Sequence, residues 1–243
     1  MRAILTYHSI DRSGSVISVT PEVFRAHVEW LATGNVRVVS LVELLRLSDD
    51  VDAVALTFDD GLASVATEAA PLLAVQGFPA TTFVVTRHVG GDNRWNGARD
   101  RGIAPQAVLG WDAPSRLCAQ GFTVGGHTRH HRHLRHCDHG ELVDELAGSA
   151  DDITAALGER PTTFAYPYGD VDARVARAAS EVFAICCTTE FQSVRADSHR
   201  ELVPRLDAWY FQNPARLPRW ESASFRRSIA IRHALRRIRR AFH

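Results

Sequence analysis

Lysine is absent from this chain, so all 28 of its basic residues are arginine. No functional demand would empty every exposed site of lysine, and the absence reads as codon bias. Long hydrophobic runs are missing too. No stretch approaches the roughly 18 consecutive apolar residues needed to span a bilayer as a helix. Cysteine is scarce: Cys118, Cys137, Cys186 and Cys187 are the four, and none forms a CxxC pair. The adjacent pair lies in an apolar run, where free cysteine behaves as a small buried hydrophobe, so a reducing compartment is expected. Met1-Arg2 runs straight into Ala3–His8, which is too short and too polar for a secretory signal core. A cytoplasmic location is therefore expected. Internal repeats are absent, and no low-complexity linker precedes residue 215, which with the ordinary composition excludes disorder, collagen-like repetition and a coiled coil.

What remains is a chain of 243 residues, 45% hydrophobic and 23% charged, enough for one large domain with a substantial core. Its net charge of zero is unevenly spread. Seven arginines (226, 227, 232, 236, 237, 239 and 240) and no acid fall within residues 225–243, leaving −7 for residues 1–224. Short β-branched runs alternate with amphipathic segments. Strands are expected at 3–7, 36–39, 53–58, 81–85, 123–125, 162–165 and 182–186. Helices are expected at 21–31, 41–47, 62–76, 113–119, 141–157 and 173–179. Seven alternating units imply a parallel α/β sheet curled into a closed or nearly closed barrel over residues 1–215, with 216–243 as a basic tail.

Such barrels carry their chemistry at the C-terminal ends of the strands. There stand His8 after the first strand, Asp59-Asp60 after the third, His127 after the fifth, and Tyr166-Pro167-Tyr168-Gly169 after the sixth. In Thr57-Phe58-Asp59-Asp60-Gly61, two adjacent carboxylates are costly to bury unless something positive meets them. Successive side chains diverge, so one can face a cation while the other stays free. The same pair can equally cap the helix that begins near Leu62. In His127-Thr128-Arg129-His130-His131, two imidazoles four residues apart can converge on one ion, and with a carboxylate they make a site that leaves room for water and substrate. His133, His136 and His139 follow closely, and a merely histidine-rich surface tract is the plainer alternative.

Thr57–Gly61, His127-Thr128-x-x-His131 and the partial match Phe164–Gly169 come in the order of the three leading motifs of the polysaccharide deacetylases. The chain resembles this NodB-homology group, carbohydrate esterase family 4, over roughly residues 3–207. Ala80–Val85 and Gly110-Trp111-Asp112 extend the similarity. The resemblance implies a distorted, incomplete (β/α)7 barrel and a metal-dependent hydrolase that removes N-acetyl groups from amino sugars. The substrate would be a polysaccharide, an oligosaccharide or a lipid-linked glycan precursor. Position by position, it implies that Asp60, His127 and His131 hold a divalent metal, for which zinc is the leading candidate. It further implies that Asp59 is the general base and that the backbone N–H of Tyr168 helps hold the oxyanion.

The chain departs from the pattern twice. Ala165 stands where the family carries an arginine that pairs with the catalytic aspartate, and no C-terminal histidine motif follows residue 207. Both departures resemble a permuted subgroup acting on poly-N-acetylglucosamine, in which an N-terminal Tyr-His segment supplies the acid. Tyr7-His8-Ser9 fits, making His8 the expected general acid. Arg205 is the candidate for the vacant arginine role, because a fixed cation near Asp59 would orient it and hold its pKa down. In the long segment Arg87–Gly110, Arg94, Trp95 and Asn96 lie over the rim. Trp95 and Tyr166 are the candidates for sugar contact, although Trp95 can equally pack the loop onto the barrel.

In the tail, Phe225, Ile229, Leu235, Ile238 and Phe242 fall near one face if residues 225–242 are helical. A basic amphipathic helix suits an anionic membrane such as the inner face of the cell membrane, and a solvated terminus is the alternative. Nucleic acid is not expected as a partner, because the rest of the chain is acidic. Two other functions stand beside deacetylation: opening a cyclic amide on the same fold, and binding carbohydrate without catalysis, the latter prompted by Ala165.

Overall fold

The computed structural model of the chain describes residues 1–95, 103–220 and 222–241. Strands β1 (Arg2–Tyr7), β2 (Arg37–Val38), β3 (Ala53–Phe58), β4 (Ala80–Val84), β5 (Phe122–Gly126), β6 (Thr163–Ala165), β7 (Ile185–Cys187) and β8 (Leu206–Asp207) form one sheet. All its pairs are parallel, in the order β8-β1-β3-β4-β5-β6-β7, with β2 pairing beside β3. Every residue of β1 and β3 is buried, which is why these strands read as near-continuous apolar runs. The sheet curls almost shut. Cys187 at the end of β7 bridges Val203 in parallel, and Leu206 of β8 pairs with Leu5 of β1.

Strand pleating sorts side chains onto two faces. Ala3, Leu5, Tyr7, Val54, Leu56 and Phe58 pack outward with Phe24, Val28 and Leu31 of α1 (Pro21–Leu31). Ile4, Ala53 and Ala55 belong to a second cluster with Phe83, Ala165, Ile185, Cys187 and Val203. Extending the same alternation puts Thr6, His8, Thr57 and Asp59 on the inner face, toward the barrel mouth. Here Gly125 is indispensable: a Cβ on it would lie 2.5 Å from the Thr163 hydroxyl and 2.6 Å from the Phe83 ring.

The helices start where the sequence supplies caps. Thr20 accepts from the Val23 N–H at the start of α1, with Pro21 following. The helices α2 (Leu41–Leu44), α3 (Ala70–Gln76), α4 (Asp112–Ala119), α5 (His139–Val143), α6 (Ser149–Leu157) and α7 (Ala173–Val182) succeed it. A π-helical turn at Asp144–Gly148 joins α5 to α6, so the long helix expected at 141–157 is interrupted.

Further expectations need correction, among them the helix expected at 62–76, which opens as a π-helical turn at Val65–Ala69 before α3 begins. Residues 182–184 are not strand, because α7 runs through Val182 and buries Phe183 at its end, and the strand begins at Ile185. The helix expected at 41–47 stops at Leu44. Strand β8 has no counterpart among the expected strands, since two residues give no visible periodicity. The basic end is not separate from the barrel. It forms helix α8 (Ala223–Ala241), and Leu217, Trp220, Phe225 and Ile229 are buried in the same cluster as β1. The Trp220 indole N–H also donates to the Met1 carbonyl at 3.2 Å. The apolar face expected to be free for a membrane is thus occupied at Phe225 and Ile229, while Leu235 is exposed. Asn96 and Phe242 lie outside the described residues, as does the side chain of Ile238. No helix among the described residues is long and apolar enough to cross a membrane.

Candidate active site

A cavity of about 240 Å³ opens at the barrel mouth, and its wall includes His8, Asp59, Asp60, Trp95, His127, His131, Tyr166, Tyr168 and Arg205. Every residue singled out from the sequence as a site residue therefore reaches one space. Among the described residues, four other than glycine have positive φ, namely Asp60 (71°), Thr128 (66°), His131 (56°) and Tyr168 (61°), and all belong to the segments forming this wall. Such conformations cost on the order of 1–3 kcal/mol each and persist only where the surroundings enforce them.

After β3 the Asp59 N–H still pairs with the Tyr7 carbonyl at 2.9 Å, and the left-handed turn at Asp60 then swings the second carboxylate away from the first. The Thr128 hydroxyl accepts from the His131 N–H at 2.9 Å, closing the turn that returns His131 to His127. The Glu145 carboxylate accepts from the backbone N–H groups of Arg129 and His130, both at 2.9 Å, and anchors that loop from the π-helical turn. Gly148 on the same turn leaves room for Arg129, whose Cζ would lie 2.6 Å from an added Cβ. Arg129 in turn pairs with Asp152 of α6 through two bonds of 2.9 Å.

Asp60 Oδ1 faces two imidazole nitrogens, His127 Nε2 at 3.4 Å and His131 Nε2 at 3.3 Å. All three residues are buried, and their candidate ligand atoms lie within 4.8 Å of one another. The Ala165 carbonyl can only accept, so the contact at 2.7 Å puts the proton of neutral His127 on Nδ1 and leaves Nε2 with a lone pair. Burial pushes the His131 pKa down to about 4 against the pull of Asp60, so this ring is neutral at neutral pH. Two imidazole nitrogens and a carboxylate oxygen then crowd one point, and Asp60 Oδ1 and His131 Nδ1 are buried without a hydrogen-bond partner. That donor set fits a divalent cation. No other cluster of this kind occurs among the described residues, so the following histidine tract does not form a second one.

Asp59 meets Arg205 through two bonds, Nη1 to Oδ1 at 2.6 Å and Nη2 to Oδ2 at 2.7 Å, with both residues buried. Arg205 also donates to the Thr188 carbonyl at 3.0 Å and to the Thr57 hydroxyl at 3.3 Å. Burial pushes the Asp59 carboxyl up, but Arg205, joined by His8 and His127, outweighs it and holds the group below its ordinary range. His8 Nε2 stands 3.8 Å from Asp59 Oδ2, with its side chain one-quarter exposed.

The sugar-contact candidates divide. Trp95 is 6% exposed, packs with Leu62, Val85 and Val108, and lies 4.7 Å from His131 between ring centroids, so it both lines the cavity and backs a candidate ligand. Tyr166 is fully buried and its hydroxyl donates to the Glu201 carbonyl at 2.9 Å, so that hydroxyl is already engaged away from any sugar. Tyr168 is braced by His133, whose ring stacks on it at 4.1 Å and 13°.

Three wall or support residues escaped the sequence reading. Glu145 carries a signal in hindsight: a charged residue on the apolar stripe formed by Leu142, Leu146 and Ile153. Asp207 lines the cavity, and burial raises its pKa against the pull of His8. Arg236 of α8 lines it too, and nothing local marks it among the tail arginines.

The profile of the polysaccharide deacetylase family matches residues 47–182, and the chain belongs to that family. It is similar to YxkH of Bacillus subtilis, whose name places it among the polysaccharide deacetylases. The identity is 26% over 193 residues, covering 77% of this chain and 64% of YxkH. The chain thus spans less than two thirds of that relative. Among solved structures it is similar to the Streptococcus pyogenes deacetylase PplD in complex with acetate, with a TM-score of 0.74, 21% identity and coverage of 89% of this chain and 96% of that one. It is also similar to IcaB from Ammonifex degensii, with a TM-score of 0.70, 23% identity and coverage of 88% and 97%. These likenesses establish the fold, an α/β incomplete barrel.

Proposed function

We propose that this chain is a metal-dependent hydrolase that removes acetyl groups from N-acetylated amino sugars of a glycan. The observation that carries the reading is the pairing, in one cavity, of an Asp–His–His donor set with a second aspartate clamped by a buried arginine. Asp60, His127 and His131 would hold the cation, with zinc favoured by the donors. When bound, it would supply a Lewis acid that brings the pKa of water to about 7 and polarises the acetyl carbonyl.

The remaining chemistry falls to the chain. Asp59, kept ionised by Arg205, takes the proton of the attacking water. The Tyr168 backbone N–H, set by its left-handed conformation, donates to the developing oxyanion, a contribution of about 3 kcal/mol for one such donor. His8, its Nε2 3.8 Å from Asp59 Oδ2, gives a proton to the departing amine. Acetate and a free amino sugar leave. Arg205 supports catalysis over binding alone, because it occupies the role that Ala165 leaves open. The decisive experiment measures acetate release from chito-oligosaccharides by the metal-loaded protein, after chelation and after zinc is restored. Turnover that survives complete removal of metal sinks the reading, and ring opening of a cyclic amide in place of acetate release favours the alternative activity.

A further inference from the structure

Around the cavity most charges stand in close contact with an opposite one. Arg205 is fully engaged by Asp59, Asp60 faces the two imidazoles, and the Asp207 carboxyl, raised by burial, feels the pull of His8 and, more weakly, of Arg236. Arg236 reaches the same wall from α8 and has no carboxylate within 4.0 Å among the described residues. Its Cζ lies 5.8 Å from the Tyr210 ring centroid and 6.0 Å from that of Phe191. One turn earlier, Arg232 stands 4.1 Å over the same Tyr210 ring and has no carboxylate within 4.0 Å among the described residues. Two guanidinium groups thus share one aromatic platform, and of the two Arg236 lines the cavity. A planar guanidinium fixed in this way, with no carboxylate in direct ion-pair contact, is free to meet an oxyanion in two-point fashion.

We infer that Arg236, supported by Arg232, forms an anion subsite, and that the substrate is an N-acetylated amino sugar bearing a phosphate or carboxylate. The inference rests on the cavity being the glycan site proposed above. A charge-assisted bond of this kind is expected to favour the anionic sugar by about tenfold or more over its neutral counterpart. The test compares binding of N-acetylglucosamine, N-acetylglucosamine 1-phosphate and N-acetylmuramic acid to the zinc-loaded protein by calorimetry. Acetate release is followed in parallel.

The expected result is a tighter complex with at least one anionic sugar, the two anionic arms showing whether phosphate or carboxylate is meant. Arg236→Gln should bring the anionic and neutral affinities near parity, Arg236→Lys should keep part of the preference, and Arg236→Glu should reverse it. Equal affinity in the wild type, no measurable binding of either anionic sugar, or a preference that survives Arg236→Gln overturns the subsite. In the last case the anion is held by the metal. The two readings fail separately. Charge-dependent binding without acetate release leaves the subsite standing and removes the deacetylase, whereas acetate release without charge preference does the reverse.

Discussion

Arg205 and Asp59 face each other through two parallel hydrogen bonds of 2.6 and 2.7 Å although 146 residues separate them in the chain. Breaking a buried pair from one side leaves the other charge uncompensated, which typically costs about 3–5 kcal/mol. Arg205→Ala should therefore lower the unfolding free energy by an amount of that order and raise the Asp59 pKa. The acid limb of the kcat/KM profile should then move to higher pH, because the base is ionised only later. Arg205→Lys keeps the charge but loses the fork, so it should recover stability better than rate. An unchanged profile in Arg205→Ala removes Arg205 from the mechanism.

Asp59 and Asp60 are neighbours with opposed tasks. Asp60→Ala or His127→Ala should strip the metal and the activity together. Asp59→Asn should keep the metal and lose about 10²–10⁴ in rate, the usual range for a general base. Elemental analysis beside acetate release separates the cases. A metal-free Asp59→Asn protein reverses the assignment.

His27 supplies a pH dependence away from the site. Its Nε2–H donates to the Phe211 carbonyl and its Nδ1 accepts from the Tyr7 hydroxyl, each at 3.0 Å, so the buried ring is held neutral. Burial lowers its pKa from 6.5 to about 4. The folded state binds fewer protons than the unfolded state between those values, so stability is full above pH 6.5 and declines as pH falls toward 4. The loss amounts to about 3 kcal/mol at 1.36 kcal/mol per pH unit. His131 adds a slope of the same sign in metal-free protein, and comparing wild type with His27→Gln cancels it. Urea unfolding at pH 7 and pH 4.5 should show the smaller drop in His27→Gln; equal drops would exclude His27 as the source.

Inside the barrel, Gly125→Ala forces a methyl group against Phe83 and the Thr163 hydroxyl. Overpacking of this kind costs about 1–3 kcal/mol, and thermal unfolding should show it as a lowered midpoint. A midpoint equal to that of the wild type means the barrel has slack there that the packing does not reveal.

The C-terminal helix gives a fourth stability test. Phe225 is 4% exposed within the main apolar cluster, so Phe225→Ala should cost about 3–5 kcal/mol. Leu235→Ala on the exposed side should change stability little. Equal effects at the two positions would contradict the docking of α8.

The sequence by itself determined the parallel barrel and the cluster of chemical residues on its rim. Buried parallel strands must be apolar along their whole length, and β1 and β3 advertise this. The metal-type triad was legible because its members sit in short motifs whose turns are encoded locally: Thr128 caps the return to His131, and Gly61 follows Asp60. Arg205 could be proposed only from a vacancy at Ala165, and Glu145 only from a charge on an apolar stripe.

Tertiary structure alone decided the rest. Whether Tyr166 offers its hydroxyl to a ligand or to Glu201, and whether Trp95 packs or protrudes, depends on neighbours far away in the chain. The same holds for the basic end. Its composition suits a membrane, water or a protein surface equally, because amphipathicity states that a face will be covered and not by what. Closure of the barrel through Val203–Asp207 brought Arg205 to Asp59, and the packing of Phe225 and Ile229 carried Arg236 to the cavity wall. Contacts across such sequence separations leave no periodic trace in the chain, and only the folded packing can select them.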